Sequence, residues 1–175
     1  MTRVFLFSLV LSSAAFGGFV AAAPNAAQAV AADTEGQVDF AGFQSLAAEV
    51  HAYRAGRLVT LAQFQAMARE PKTIILDARS AAAFRAGHID GALNLALTDF
   101  TAPALAAAIA DPGTRILIYC NNNFANNVAP VVLKRVQLAL NIQTFINLYG
   151  YGYRNVYELG DVVNFDDPAV RWVHG

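Results

Sequence analysis

The chain has 175 residues, of which 56% are hydrophobic and 14% charged, a balance that excludes a disordered chain and a coiled coil and fits one domain. Lys and Arg number 12 against 13 Asp and Glu, with the bases scattered from Arg3 to Arg171, so there is no basic stripe to neutralise a run of phosphates and nucleic acid is not expected as a partner. The one cysteine, Cys120, excludes an internal disulfide framework, and no Cys and His grouping has zinc-ligand spacing, so no metal site is expected.

Arg3 is followed by an uninterrupted apolar and small-residue run over residues 4–23, with no further charge before Asp33, the pattern of a secretory signal. Ala27-Gln28-Ala29 supplies the small, any, small motif for cleavage, which assigns residues 1–29 to the signal. The alternative is an uncleaved anchor facing the periplasm, because about twenty apolar residues can cross a bilayer. Both place the domain in the periplasm or outside the cell, where a lone thiol is either inert or kept free for chemistry.

Residues 30–57 read as an Ala-rich linker and one helix, in which Phe43, Leu46, Val50 and Tyr53 recur at helical spacing. An α/β domain is assigned to residues 58–175. Leu58 and Val59 suit a short strand, and Thr60 with Gln63 forms a capping box opening a helix over residues 61–69. Thr73-Ile74-Ile75-Leu76 and Arg115-Ile116-Leu117-Ile118-Tyr119 are the continuous β-branched and aliphatic runs of strands covered on both faces. Between them come a short helix from Ser80 to a stop at Gly87, a strand over residues 92–95 and a small helix over residues 103–110. Residues 128–140 have helical character with Pro130 near the first turn, and Val156-Tyr157-Glu158-Leu159 reads as a last strand. Strands alternating with helices predict a mainly parallel sheet.

Ligands in such folds sit beyond the carboxyl ends of the strands, where Asp77, Arg79 and Cys120 all fall. A thiol between a strand and a following helix can be ringed by backbone N–H groups, which favour the nucleophilic thiolate and predict an acidity above that of an ordinary thiol. Asp77 and Arg79 are secondary substrate-binding candidates, equally readable as a capping Asp paired with its Arg. His88 is expected to satisfy local backbone groups, and Phe145, Tyr149, Tyr151 and Tyr153 to pack rather than line a pocket. His51, His174 and Trp172 lie outside any motif.

These residues resemble the rhodanese-like family of sulfurtransferases. The resemblance rests on Ile75-Leu76-Asp77-Ala78-Arg79, on Phe84, on Gly87-His88-Ile89-Asp90-Gly91-Ala92-Leu93-Asn94-Leu95, on Ile118-Tyr119-Cys120 and on Gly152-Tyr153-Arg154-Asn155-Val156-Tyr157-Glu158-Leu159, in that order. It implies a three-layer α/β/α domain whose cysteine opens a six-residue loop, accepts sulfane sulfur as a persulfide and passes it on. The implied catalytic residue is Cys120, with Asn121, Asn122, Asn123, Phe124, Ala125 and Asn126 as the anion cradle. The implied partners are a small sulfur-containing donor, a thiol or other nucleophilic acceptor, and optionally a protein. No metal or organic cofactor is implied.

The departures are specific. Asn123 and Ala125 stand where the family often has Gly and then Arg, Ser or Thr, so the loop supplies no cation for an anionic donor such as thiosulfate unless the fold brings over Arg79 or Arg85. The related phosphatases need His before the cysteine and Arg six residues after it, and Tyr119 and Asn126 stand there, which excludes phosphoryl transfer. The chain from Cys120 to Gly152 is longer than the family usually allows, and the extra residues within 134–149 are expected to form a lid or a partner surface. The alternative to an exported persulfide carrier is a non-catalytic rhodanese-like module that binds a partner protein or a sulfur species.

Overall fold

The computed structural model describes residues 37–174. The expected signal over residues 1–29 and most of the linker after it lie outside the described residues.

Local capping starts most of the helices. Asp39 accepts a hydrogen bond from Gly42 N to open α1 (Phe40–Arg54), and a single tight turn leads from it into β1 (Leu58–Val59). Thr60 and Gln63 form the reciprocal capping box expected for α2 (Leu61–Ala68). The strand β2 (Thr73–Asp77) is followed by α3 (Ala81–Ala86), capped by Ser80, and by the short strands β3 (His88–Ile89) and β4 (Ala92–Asn94). Thr101 caps α4 (Ala102–Ile109), and β5 (Arg115–Tyr119) ends directly before Cys120. The chain closes with α5 (Leu140–Gly150), β6 (Val156–Leu159) and β7 (Trp172–Val173).

The five-stranded sheet has the order β1-β6-β5-β2-β4, and all its pairs are parallel. Alternation along β2 and β5 divides the core in two. Leu76, Ile116 and Ile118 meet Val50 of α1, Leu105 of α4 and Phe145 and Leu148 of α5 on one face. Ile75, Leu117 and Tyr119 meet Phe64 of α2, Ile89 and Phe124 on the other. This is the expected α/β architecture with a parallel central sheet. Phe145, Tyr149 and Tyr153 are buried in the first core, and Tyr151 donates to Phe100 O.

Two features differ from the sequence reading. Residues 128–139 do not form a helix; α5 begins only at Leu140, and before it there is one tight turn, Val136–Leu138. Val128, Val132, Leu133, Val136 and Leu138 are exposed, so their helical spacing has no core to face, and main-chain groups of the segment bond instead to asparagine side chains of the loop after Cys120. The second feature is β7, which pairs antiparallel with β3 and lays Trp172 over Gly87.

A Cβ added at Gly87 would stand 2.5 Å from Trp172 Nε1. Gly87→Ala is therefore expected to destabilise the domain by about 1–3 kcal/mol through overpacking, read as a lowered urea midpoint. An unchanged midpoint would show that β7 does not hold the ring in place.

Candidate functional site

Tyr119 and Cys120 leave β5 toward opposite faces of the sheet, and the two sets of candidate residues part company there. Tyr119 OH donates to Asp77 Oδ2 at 2.5 Å and accepts from Ile89 N, while Arg79 grips both oxygens of Asp77 and also donates to Gly87 O. Asp77 and Arg79 are both buried, and their charges are spent on each other and on the backbone. Arg79 borders a cavity of about 370 Å³ with Asn121, Asn122 and Lys134, but neither Arg79 nor Asp77 lines the cavity of the thiol. His88 Nδ1 donates to Phe84 O at 2.9 Å and the two rings stack, the local role expected of it.

Cys120 is 1% exposed and lines a separate cavity of about 270 Å³ with Arg54, Asn122, Asn141 and Glu158. The main-chain N–H groups of Asn141, Asn122 and Leu140 act on its sulfur and favour the anion. Two of these belong to the first turn of α5. That helix has Ala139 at its N-cap, with no side chain to satisfy the orphan donors, and its first amides favour an anion on the Cys120 sulfur.

The loop itself forms less of a cradle than the sequence suggests. Asn123 N donates to Cys120 O, Phe124 N to Asn121 O and Ala125 N to Val163 O, so those three amides are occupied. Phe124 is buried against Tyr119 and Trp172, and Asn126 binds Asn164 and the main chain of Phe165. Asn123 is a scaffold: its Oδ1 accepts from Cys120 N and Asn141 Nδ2, and its Nδ2 donates to Leu159 O. The amides that favour the sulfur anion thus come from Asn122 and from the start of α5.

Sequence reasoning missed three residues beside the thiol. Arg54 binds both oxygens of Glu158 at 2.5 Å, and Asn141 Nδ2 donates to Glu158 Oε1 at 3.1 Å. An acid inside the buried strand β6 was the available signal, since a charge is rarely buried without a partner. Asn141 gave no signal, because its role depends on where α5 begins.

Residues 128–139 lie across this corner. Asn121 Nδ2 donates to Val132 O, Asn122 exchanges two hydrogen bonds with the main chain of Lys134, and Asn127 Oδ1 accepts from Leu133 N. Burial pushes the Cys120 thiol up from its ordinary range and the charge of Glu158 adds to the rise, against the amides of Asn141, Asn122 and Leu140. The direction is opposite to that expected from the sequence, because burial disfavours the sulfur anion more than the amides favour it.

A model of the family described as Rhodanese-like domain matches residues 60–161. No curated protein sequence matches the chain. Among solved structures, a thiosulfate sulfurtransferase from Pseudomonas aeruginosa aligns with a TM-score of 0.50 at 19% identity, covering 76% of this chain and 23% of that one. A protein from Bacillus halodurans gives a TM-score of 0.45 at 18% identity, covering 66% of this chain and 74% of the other. A variant of EanB in complex with hercynine gives 0.43 at 22% identity, covering 58% and 23%. The likeness to the sulfurtransferase concerns the fold, and this chain spans about a quarter of that protein's length.

Alkylation of Cys120 by iodoacetamide, followed by mass against pH, is expected to have its midpoint above the value of about 8.5 for a free thiol. A midpoint below that value would contradict the balance of burial and amides. Asn122→Ala, which releases two bonds to Lys134, should speed alkylation at fixed pH by about tenfold, equivalent to ~1.4 kcal/mol of easier opening.

Proposed function

The chain belongs to the rhodanese-like domain family, and from that premise we propose that it carries sulfane sulfur as a persulfide on Cys120. The observation that supports this reading is the meeting of one thiol, main-chain amides that favour its anion and a cavity at the carboxyl end of β5. In the proposed cycle the Cys120 thiolate attacks the outer sulfur of a donor. The bond between that sulfur and the rest of the donor breaks, sulfur–sulfur in thiosulfate or a persulfide and carbon–sulfur in mercaptopyruvate, and the remaining fragment leaves with the electron pair. The outer sulfur, now terminal on Cys120, is held by the N–H groups of Asn122, Leu140 and Asn141 at the positive end of α5, an arrangement analogous to an oxyanion hole. A thiol or other nucleophile then removes it and restores the free cysteine.

In the proposal, access opens by movement of residues 132–139, whose bonds to the loop are few and lie at the surface, while Val131 stays anchored in the core. The proposal includes export, on the apolar run over residues 4–23 and the motif ending at Ala29, with an uncleaved anchor as the alternative. Among the described residues no helix is long and apolar enough to cross a membrane.

One observation favours a second reading. A buried thiol whose acidity is lowered by desolvation suits a module that binds a partner or a sulfur species without turnover. The two readings separate on intact mass: incubation with thiosulfate, mercaptopyruvate or glutathione persulfide should add one sulfur atom to the wild-type chain and none to Cys120→Ser. No adduct from any of the three would reject persulfide carriage in favour of the binding module.

A further inference from the structure

Residues 132–138 are exposed without interruption, although both flanks are anchored: Val131 is buried in the second core and Asn141 is buried beside Cys120. Val132, Leu133, Val136 and Leu138 supply large aliphatic side chains, and between them stand Lys134 and Arg135. Val136 is 70% exposed and lines the Cys120 cavity together with Leu58 and Val162, themselves 44% and 68% exposed. The aliphatic side chains therefore gather around one cavity mouth, as at an interaction site, instead of lying scattered.

Charge and main-chain bonding decide what this patch fits. Neither Lys134 nor Arg135 has an ion-pair partner among the described residues, and the sequence has no Asp or Glu between Asp111 and Glu158. Glu158 is taken by Arg54, and Asp161, next to Val162, accepts from Leu61 N. A partner that matches the patch is thus anionic as well as apolar. The main chain is already bonded at many points: Asn121, Asn122 and Asn127 satisfy Val132 O, both polar groups of Lys134 and Leu133 N, while Leu138 N and Ala139 N donate to Arg135 O and Val136 O. That leaves little for an incoming peptide strand to pair with, and a bonded main chain enters an apolar phase at lower cost.

We propose that the patch docks on an anionic lipid surface. The aliphatic side chains of residues 132–138 and Val162 enter the boundary between headgroups and acyl chains, and Lys134 and Arg135 meet the phosphates. The mouth of the Cys120 cavity then faces the bilayer. Docking is independent of the chemistry at Cys120.

The test uses the full chain with Val136→Trp, a change of one exposed side chain, and vesicles with brominated acyl chains, which quench tryptophan on contact. Phosphatidylglycerol vesicles are expected to quench the added tryptophan at least about twofold and phosphatidylcholine vesicles to leave it unchanged. The chain without this substitution gives the background, since its one tryptophan, Trp172, is stacked on Phe165. Adding Lys134→Gln and Arg135→Gln should remove most of the quenching. Quenching confined to the anionic vesicles and lost with the two charges supports the docking. Equal quenching by both lipids, none by either, or quenching that survives loss of both charges would overturn it. None by either, with an emission shift of the Val136→Trp chain that depends on protein concentration, would assign the patch to a second copy of the chain instead.

Discussion

A carboxylate held inside the sheet determines how this corner of the domain is built. Glu158 lies on β6 beside the end of β5, and its charge is tolerable only because Arg54 and Asn141 reach it from two helices. Arg54 stands at the end of α1 and Asn141 in the first turn of α5, so the requirement to satisfy one anion fixes where both helices terminate. Losing one partner of such a pair costs on the order of 3 kcal/mol, less where a partner reaches water as Arg54 does. With α5 in place, its first amides favour an anion on the sulfur of Cys120.

The thiol is consequently the object of two opposed effects. Amides at a helix start favour an anion, while burial and the neighbouring Glu158 disfavour it. The balance falls on the side of the protonated, buried thiol. The same asparagines that make the loop unusual are the clasps of residues 132–134: Asn121, Asn122 and Asn127 bind them, whereas Asn123 braces the network beneath. The polar run after Cys120 thus serves more through its side chains than through its backbone.

Much of the fold was legible because its determinants are local. The runs at β2 and β5 have no polar interruption, and the Thr60 and Gln63 box appears at the start of α2 as read. The error over residues 128–140 arose because helical spacing of apolar residues signals a helix only when a core lies opposite, and here Val131 is buried in the second core while Val128, Val132, Leu133, Val136 and Leu138 stay exposed. Two-residue strands such as β3 and β7 leave no periodicity to detect. At the site, Cys120 was found from its strand-end position, but Arg54, Glu158 and Asn141 converge from three distant stretches of chain. Distance in sequence concealed them, although an acid in a buried strand was visible.

The central claim is that sulfur on Cys120 is held by the start of α5 and by Asn122. Amide nitrogen and proton shifts of the chain before and after loading with a sulfur donor test it most directly. The account predicts downfield proton shifts confined to Asn122, Leu140 and Asn141, with Phe124 and Ala125 unmoved because their amides are already bonded. Loading accompanied by shifts at Phe124, Ala125 and Asn126, with the start of α5 silent, would contradict it.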